Sequence, residues 1–108
     1  MKIGQIAKMA QQMQTQMAQA QDELKETTLE ASAGGGAVRI VITGAQEVRS
    51  VEIDPSAVDP DEVEMLQDLV MTAMNDAIGR SKELERERMG RIAGGMGLPG
   101  MPGLPGFG

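Results

Sequence analysis

The chain has 108 residues, a formal net charge of −6 and a sequence pI of about 4.5. That is the length of one domain, and its overall charge repels nucleic acid and anionic membranes. It contains no cysteine, histidine, tryptophan or tyrosine, which excludes disulfides and thiolate metal sites and removes the commonest general base and metal ligand.

Ser32, Ser50, Ser56 and Ser81 thus have no histidine to activate them, and the composition points away from an enzyme, a cofactor or a small-molecule substrate. The opening residues Met1–Ile6 lack the apolar core of a secretory signal, and no stretch is long enough to span a bilayer. A cytoplasmic protein without a membrane partner is expected.

The spacing predicts a first helix from residue 3 to about 25. Ile3, Ile6, Ala10, Met13, Met17, Ala20 and Leu24 recur in steps of three and four, a narrow heptad seam. The rest of this helix is rich in glutamine (Gln5, Gln11, Gln12, Gln14, Gln16, Gln19, Gln21), a good helix former without charge. Such a face is either simply solvated or a polar surface for a phosphate backbone and base edges. Thr27–Ala31 then reads as a short strand, because a β-branched pair replaces the helical stripe. Gly34-Gly35-Gly36 lies between two strand-like segments, which favours a turn over a phosphate cradle.

From Ala37 to Thr43 the chain alternates, with Val38, Ile40 and Ile42 on one side. After a turn at Gly44–Gln46, a third strand ends at Asp54. Hairpin pairing places Val51 and Ile53 on the apolar face of the second strand. Arg39, Thr43, Ser50 and Glu52 fall on a wet opposite face. One apolar sheet face requires a helix layer. Asp59-Pro60-Asp61-Glu62 supplies a cap, a proline at the first helical position and acidic residues at the positive end of the helix dipole. It lacks the spacing and central glycine of a calcium loop. A second helix follows, with Val63, Leu66, Val70, Ala73, Ala77 and Leu84 on one stripe, a weak point at Gly79 and an expected end near Met89–Gly90. The globular unit is expected to cover residues 1–93, with a disordered Gly/Pro/Met-rich tail over 94–108. Three collagen-like triplets in that tail are too few for a triple helix.

Charge is segregated. Residues 55–79 carry six acidic side chains and no basic one. Arg80, Lys82, Arg86, Arg88 and Arg91 then stand against Glu83, Glu85 and Glu87. Arg80, Arg88 and Arg91 fall on the continuation of the apolar stripe, so the end of the second helix is expected to have left the core. The second helix is long enough to overhang the strands, and because the first helix runs in where the second runs out, its N-terminal end is expected beside that overhang, which brings Lys2 and Lys8 near those five cations on a projecting arm. These seven residues are the candidate DNA contacts.

Four stretches carry a family resemblance. They are Met9–Gln14 continuing through Met17–Leu24, then Gly35–Ile40, then Val51–Pro55, then Glu64–Val70 with Ala73–Ala77 after it. The chain resembles the YbaB/EbfC family of bacterial nucleoid-associated proteins over most of residues 1–99. The resemblance implies an α+β protomer of order α-β-β-β-α, with a small antiparallel sheet covered by two long helices, and a tweezer-like homodimer. It further implies double-stranded DNA as partner with little sequence preference, alteration of DNA conformation, and roles in nucleoid organisation and gene regulation. The alternative is a dimeric helical module that binds other proteins through its methionine-rich first helix, where Met9 stands beside the seam.

Overall fold

A computed structural model describes residues 3–95. Helix α1 (Ile3–Glu26) runs into a three-stranded sheet formed by β1 (Thr28–Ala33), β2 (Val38–Thr43) and β3 (Val48–Ile53). Two 3₁₀ turns, Pro55–Ala57 and Pro60–Glu62, lead into helix α2 (Val63–Gly95). The α-β-β-β-α order is as expected, although β1 begins and ends later than the Thr27–Ala31 segment.

Helix α1 stops where Thr27 enters extended backbone. The Thr27 N–H and hydroxyl both donate to the Glu23 carbonyl, at 2.9 and 2.8 Å. A carbonyl freed by the end of the helix, that of Leu24, accepts from the Gly44 N–H at 2.9 Å. A Cβ at position 44 would lie 2.6 Å from Leu24 Cδ2 and 3.2 Å from the Leu24 carbonyl, so any side chain there would force the buried Leu24 to shift.

The sheet is antiparallel with strand order β1-β2-β3. Its register aligns Ala33, Val38 and Ile53 in one row and Ala31, Ile40 and Val51 in the next. A bulge between Val41 and Ile42 then brings Val48 opposite Ile42. The turn between β1 and β2 uses three glycines at positive φ, and Gly34 sits directly under Leu69 of α2.

Helix α2 lies across β1 and β2, where Ala73 and Ala77 are fully buried against Ala31, Val38, Ile40 and Ile42. Two alanines let the helix backbone approach the sheet closely. Helix α1 meets the sheet only at its last turns, through Leu24 and the β2–β3 turn. The approach to α2 shows the predicted capping, since the Asp59 carboxylate accepts from the Asp61 N–H at 2.9 Å, but Pro60 opens the second 3₁₀ turn and the α-helix itself starts three residues later, at Val63.

Two expectations need correction. Thr43 is fully buried rather than wet, because its hydroxyl accepts from the Ala45 and Glu47 N–H groups at 3.1 Å and so closes the turn. The other three residues of that face, Arg39, Ser50 and Glu52, are exposed, and Arg39 pairs across the strands with Glu52 at 2.6 Å. Helix α2 does not end near Met89 but continues through Gly90 to Gly95. A single glycine costs only about 1 kcal/mol in a helix, which lateral packing offsets. The end of α2 does run past the sheet core, as expected, and packs there beside α1. The inward stripe continues beyond the sheet as Ser81, Leu84, Arg88, Ile92 and Ala93, with Ala93 buried. Residues 96–108, and with them most of the expected tail, lie outside the described residues.

Candidate nucleic-acid interface

The β2–β3 turn, the end of α1 and the middle of α2 meet at one joint. The buried Ser81 hydroxyl donates to the Thr43 carbonyl at 2.6 Å and accepts from the Gln46 N–H and Nε2 at 3.0 and 2.9 Å. Gln46 holds a left-handed backbone, with φ of 61°. The side chains of Leu24 and Leu84 both abut Gly44.

Beyond this joint the two helices run side by side in opposite directions. Gln21 Nε2 reaches Glu85 Oε2 at 3.4 Å, and Arg88 reaches Glu23 at 3.8 Å. The molecule is 70 Å long and only 16 Å thick at its thinnest. Helix α2 alone accounts for about 50 Å, so α1 must extend the long axis beyond it. The Cα radius of gyration is 19.5 Å, against about 13 Å for a compact chain of this size. The protein thus consists of an acidic body and a two-helix arm.

The structure places the sequence-predicted contacts unevenly. Lys2 lies outside the described residues. Lys8 is exposed on α1 and lines a shallow polar groove with Gln11, Gln12, Thr15 and Gln16. Arg80 stands at the base of the arm, and Lys82, Arg86, Arg88 and Arg91 follow along α2. Four of these cations have carboxylate partners. Arg80 bonds Asp76 at 2.9 Å, Arg86 bonds Glu83 at 2.6 Å, Arg91 bonds Glu87, and Arg88 pairs with Glu23. Among the described residues neither Lys8 nor Lys82 is in an ion pair.

The expectation of unpartnered guanidinium groups clear of the centre is therefore corrected. Arg88 is half-buried between the helices, while Arg80, Arg86 and Arg91 are exposed but paired. The signal lay in the sequence as Asp76–Arg80, Glu83–Arg86 and Glu87–Arg91, all at spacings of three or four residues. Helix α1 offers the contrasting surface. It carries no carboxylate of its own before Asp22, so along Gln5–Gln19 its glutamine face presents amide donors on a helix free of anions, whereas Gln21 already meets Glu85 of α2.

A second surface bears on assembly. Val51 and Ile53 lie in register with buried β2 residues, yet α2 does not extend over β3, and both side chains remain exposed together with Val48. On α2 itself, Leu66, Val70, Met71, Met74 and Ile78 line an open apolar groove. Contiguous exposed apolar surface of this kind marks a contact site.

Residues 1–96 match the YbaB/EbfC DNA-binding family. A protein of Acetivibrio thermocellus described as a nucleoid-associated protein is 49% identical over 95 residues, covering 88% of this chain and 84% of its own length. A nucleoid-associated protein of Chloroflexus aurantiacus is 50% identical over 92 residues, covering 85% and 92%. The crystal structure of an uncharacterized protein from Helicobacter pylori superposes with a TM-score of 0.72 at 25% identity, covering 81% of this chain and 91% of that one.

Proposed function

Because the chain belongs to the YbaB/EbfC DNA-binding family, we propose that it binds double-stranded DNA as a homodimer, chiefly through the phosphates and with little sequence preference. In doing so it alters DNA conformation and contributes to nucleoid organisation and gene regulation in the cytoplasm. The observation that carries this reading is the arm. Helix α1 has no acidic residue before Asp22, and the adjoining end of α2 has five cations against three carboxylates, on a chain that is otherwise strongly acidic. Phosphate is repelled by the body and tolerated only there.

The ion pairs on α2 do not oppose this. Exposed pairs contribute about 0–1 kcal/mol, and a guanidinium can exchange such a carboxylate for a phosphate, which it binds in a forked geometry. Glutamine amides and the Thr15 hydroxyl of the α1 groove supply uncharged donors for phosphate and sugar oxygens. The only aromatic residue is Phe107, so stacking on single-stranded bases has no platform. Duplication of the arm follows from the apolar row on β3 and the apolar groove on α2, which a second copy would cover.

The test is duplex binding over a salt series, with oligomeric state followed in parallel. The logarithm of affinity is expected to fall linearly with the logarithm of salt concentration. Replacing Arg86, Arg88 and Arg91 together by alanine is expected to weaken binding at low salt and flatten that slope, with the circular dichroism unchanged. An identical affinity and slope in the folded triple variant would refute contact through the arm.

A further inference from the structure

Helix α1 is longer than the partner that lies beside it. Leu24 and Leu84 are level, since both abut Gly44. From that level α2 runs on for about 16 Å to Gly95, whereas α1 runs back for about 31 Å to Ile3. Among the described residues, the last 15 Å or so of α1, from Met13 to Ile3, therefore has no helix beside it. The heptad seam continues along this stretch with its side chains open. Ile3 is 82% exposed and Ile6 50%. Two isoleucines held in water on one stripe are unfavourable by the usual measure of apolar burial.

The overhang has two faces. The Lys8 groove lies about half a turn round the helix from the seam. A duplex held in that groove therefore leaves the seam open. The chemistry of the stripe restricts what can cover it. Between Ile3 and Gln21 the one charged residue is Lys8, on the far face, and the seam is bordered by Gln5, Met9 and Gln14. A charged partner finds no complement there. What fits is a second uncharged apolar stripe of the same spacing, and the chain carries that stripe itself.

Two copies related by a two-fold axis satisfy the geometry. With the helices antiparallel and the axis level with position 8, Ile3 stands opposite Met13 of the second copy and Ile6 opposite its Ala10. A large side chain thus lies over a small one on either side of the axis, which lets the helices approach closely. The overlap runs from residue 3 to residue 13, the same stretch that α2 leaves bare. The two Lys8 side chains face outward on opposite sides, and the helix dipoles oppose one another.

We infer that the Ile3–Met13 overhang of α1 is a self-association surface that joins two copies of this chain tip to tip through antiparallel seams. Three helical turns bury less than the roughly 1,200 Å² that marks a stable complex, so the contact is weak for one pair and gains strength where several chains are held together. It is separate from the apolar surfaces of β3 and α2. A chain that uses both contacts links its copies into an open array. The inference goes beyond DNA binding and does not rest on it, and its test uses no DNA.

The chain has no native cysteine, so placed thiols report without background. In the full chain, Ile6→Cys mixed with Ala10→Cys is expected to give the mixed disulfide of double mass about tenfold faster than Lys8→Cys gives its own, because the seam positions come within disulfide reach and the outward lysines do not. Equal rates would overturn the proposal. So would an Ile6→Cys thiol shielded from maleimide in the single chain, by showing that the seam is covered from within. Independently, Ile6→Asp puts like charges into the contact. The mass of the full chain in sedimentation equilibrium is expected to rise with concentration past two chains, and Ile6→Asp to stop that rise with the far-UV spectrum unchanged. A mass curve that Ile6→Asp leaves as it was would equally overturn it.

Discussion

Replacing Ser81 by alanine tests the joint from which the arm springs. The hydroxyl is fully buried and serves three partners, the Thr43 carbonyl and two nitrogens of Gln46. Each partner keeps one fallback contact. The Gln46 N–H also donates to the Thr43 carbonyl at 3.2 Å, and Gln46 Nε2 donates to the Gly44 carbonyl at 3.0 Å. The loss is therefore set near the lower part of the range for an under-satisfied buried polar group, about 1–2 kcal/mol. For a domain of this size that corresponds to roughly 5–15 °C in melting temperature. Urea unfolding at one fixed protein concentration measures it, because the stability of the proposed dimer would depend on concentration. Ser32→Ala, on an exposed position, is the control and is expected to change stability by less than about 0.5 kcal/mol. A Ser81→Ala loss as small as the control's would show that the turn and α2 are held together by apolar packing alone, and the hydrogen-bond reasoning would fail.

Three further outcomes are expected. Val51→Asp puts a charge into the exposed apolar row of β3 and should yield single-chain mass in sedimentation equilibrium with an unchanged far-UV spectrum; persistence of a dimer would remove β3 from the interface. Gly34→Ala forces a Cβ to within 2.9 Å of Leu69 at φ +65°, whereas Gly35→Ala meets no atom at φ +66°. Both should lower the urea midpoint by the left-handed penalty of about 1–2 kcal/mol, and Gly34→Ala by more. The Asp54 carboxyl accepts from the Ser56 N–H and hydroxyl, both at 2.9 Å, which holds its pKa below the usual aspartate value. A depressed folded pKa means that its stabilisation is complete at neutral pH and fades only as pH falls through that value. An NMR titration of the side-chain carboxyl should show this, and Ser56→Ala should raise the midpoint.

Periodicity made most of the fold legible. The alternation from Val38 to Ile42 marks the central strand and its inward face, whereas Asp59-Pro60 marks the 3₁₀ turn that precedes α2, which itself begins three residues later at Val63. The errors have physical causes. Thr43 looks like a surface residue in an alternating strand, but its hydroxyl is consumed by the turn that follows. Gly90 looks like a helix end, but a helix flanked by another helix tolerates one glycine. Val51 and Ile53 were assigned correctly to the apolar face, yet that face is wider than the single helix that covers it. Sequence pattern reports which way a side chain points and is silent about whether a partner reaches it. The candidate contacts were less legible for the same reason. Projecting Arg80, Arg88 and Arg91 onto an ideal helix took account of the stripe and overlooked carboxylates one turn away.

Those carboxylates change what kind of DNA binder is expected. An arginine that leaves Glu83 or Glu87 for a phosphate exposes an anion within a few ångströms of the new contact, and the gain from the phosphate is partly cancelled by that repulsion. Each such residue then contributes little, and no single arginine can dominate affinity. In the proposed mode, binding comes from many weak contacts distributed over the arms of the proposed dimer, joined by the amides of α1 ahead of Asp22, a stretch of helix with no carboxylate of its own. On that proposal an acidic protein would hold a polyanion through cations that are already paired. In the proposed mode, single substitutions on α2 have small effects, whereas placing a carboxylate in the α1 groove, as in Gln12→Glu, is expected to weaken duplex binding more than Arg91→Ala does. The opposite ranking in the same low-salt gel-shift series would show that the arginines, not the glutamine face, set the affinity.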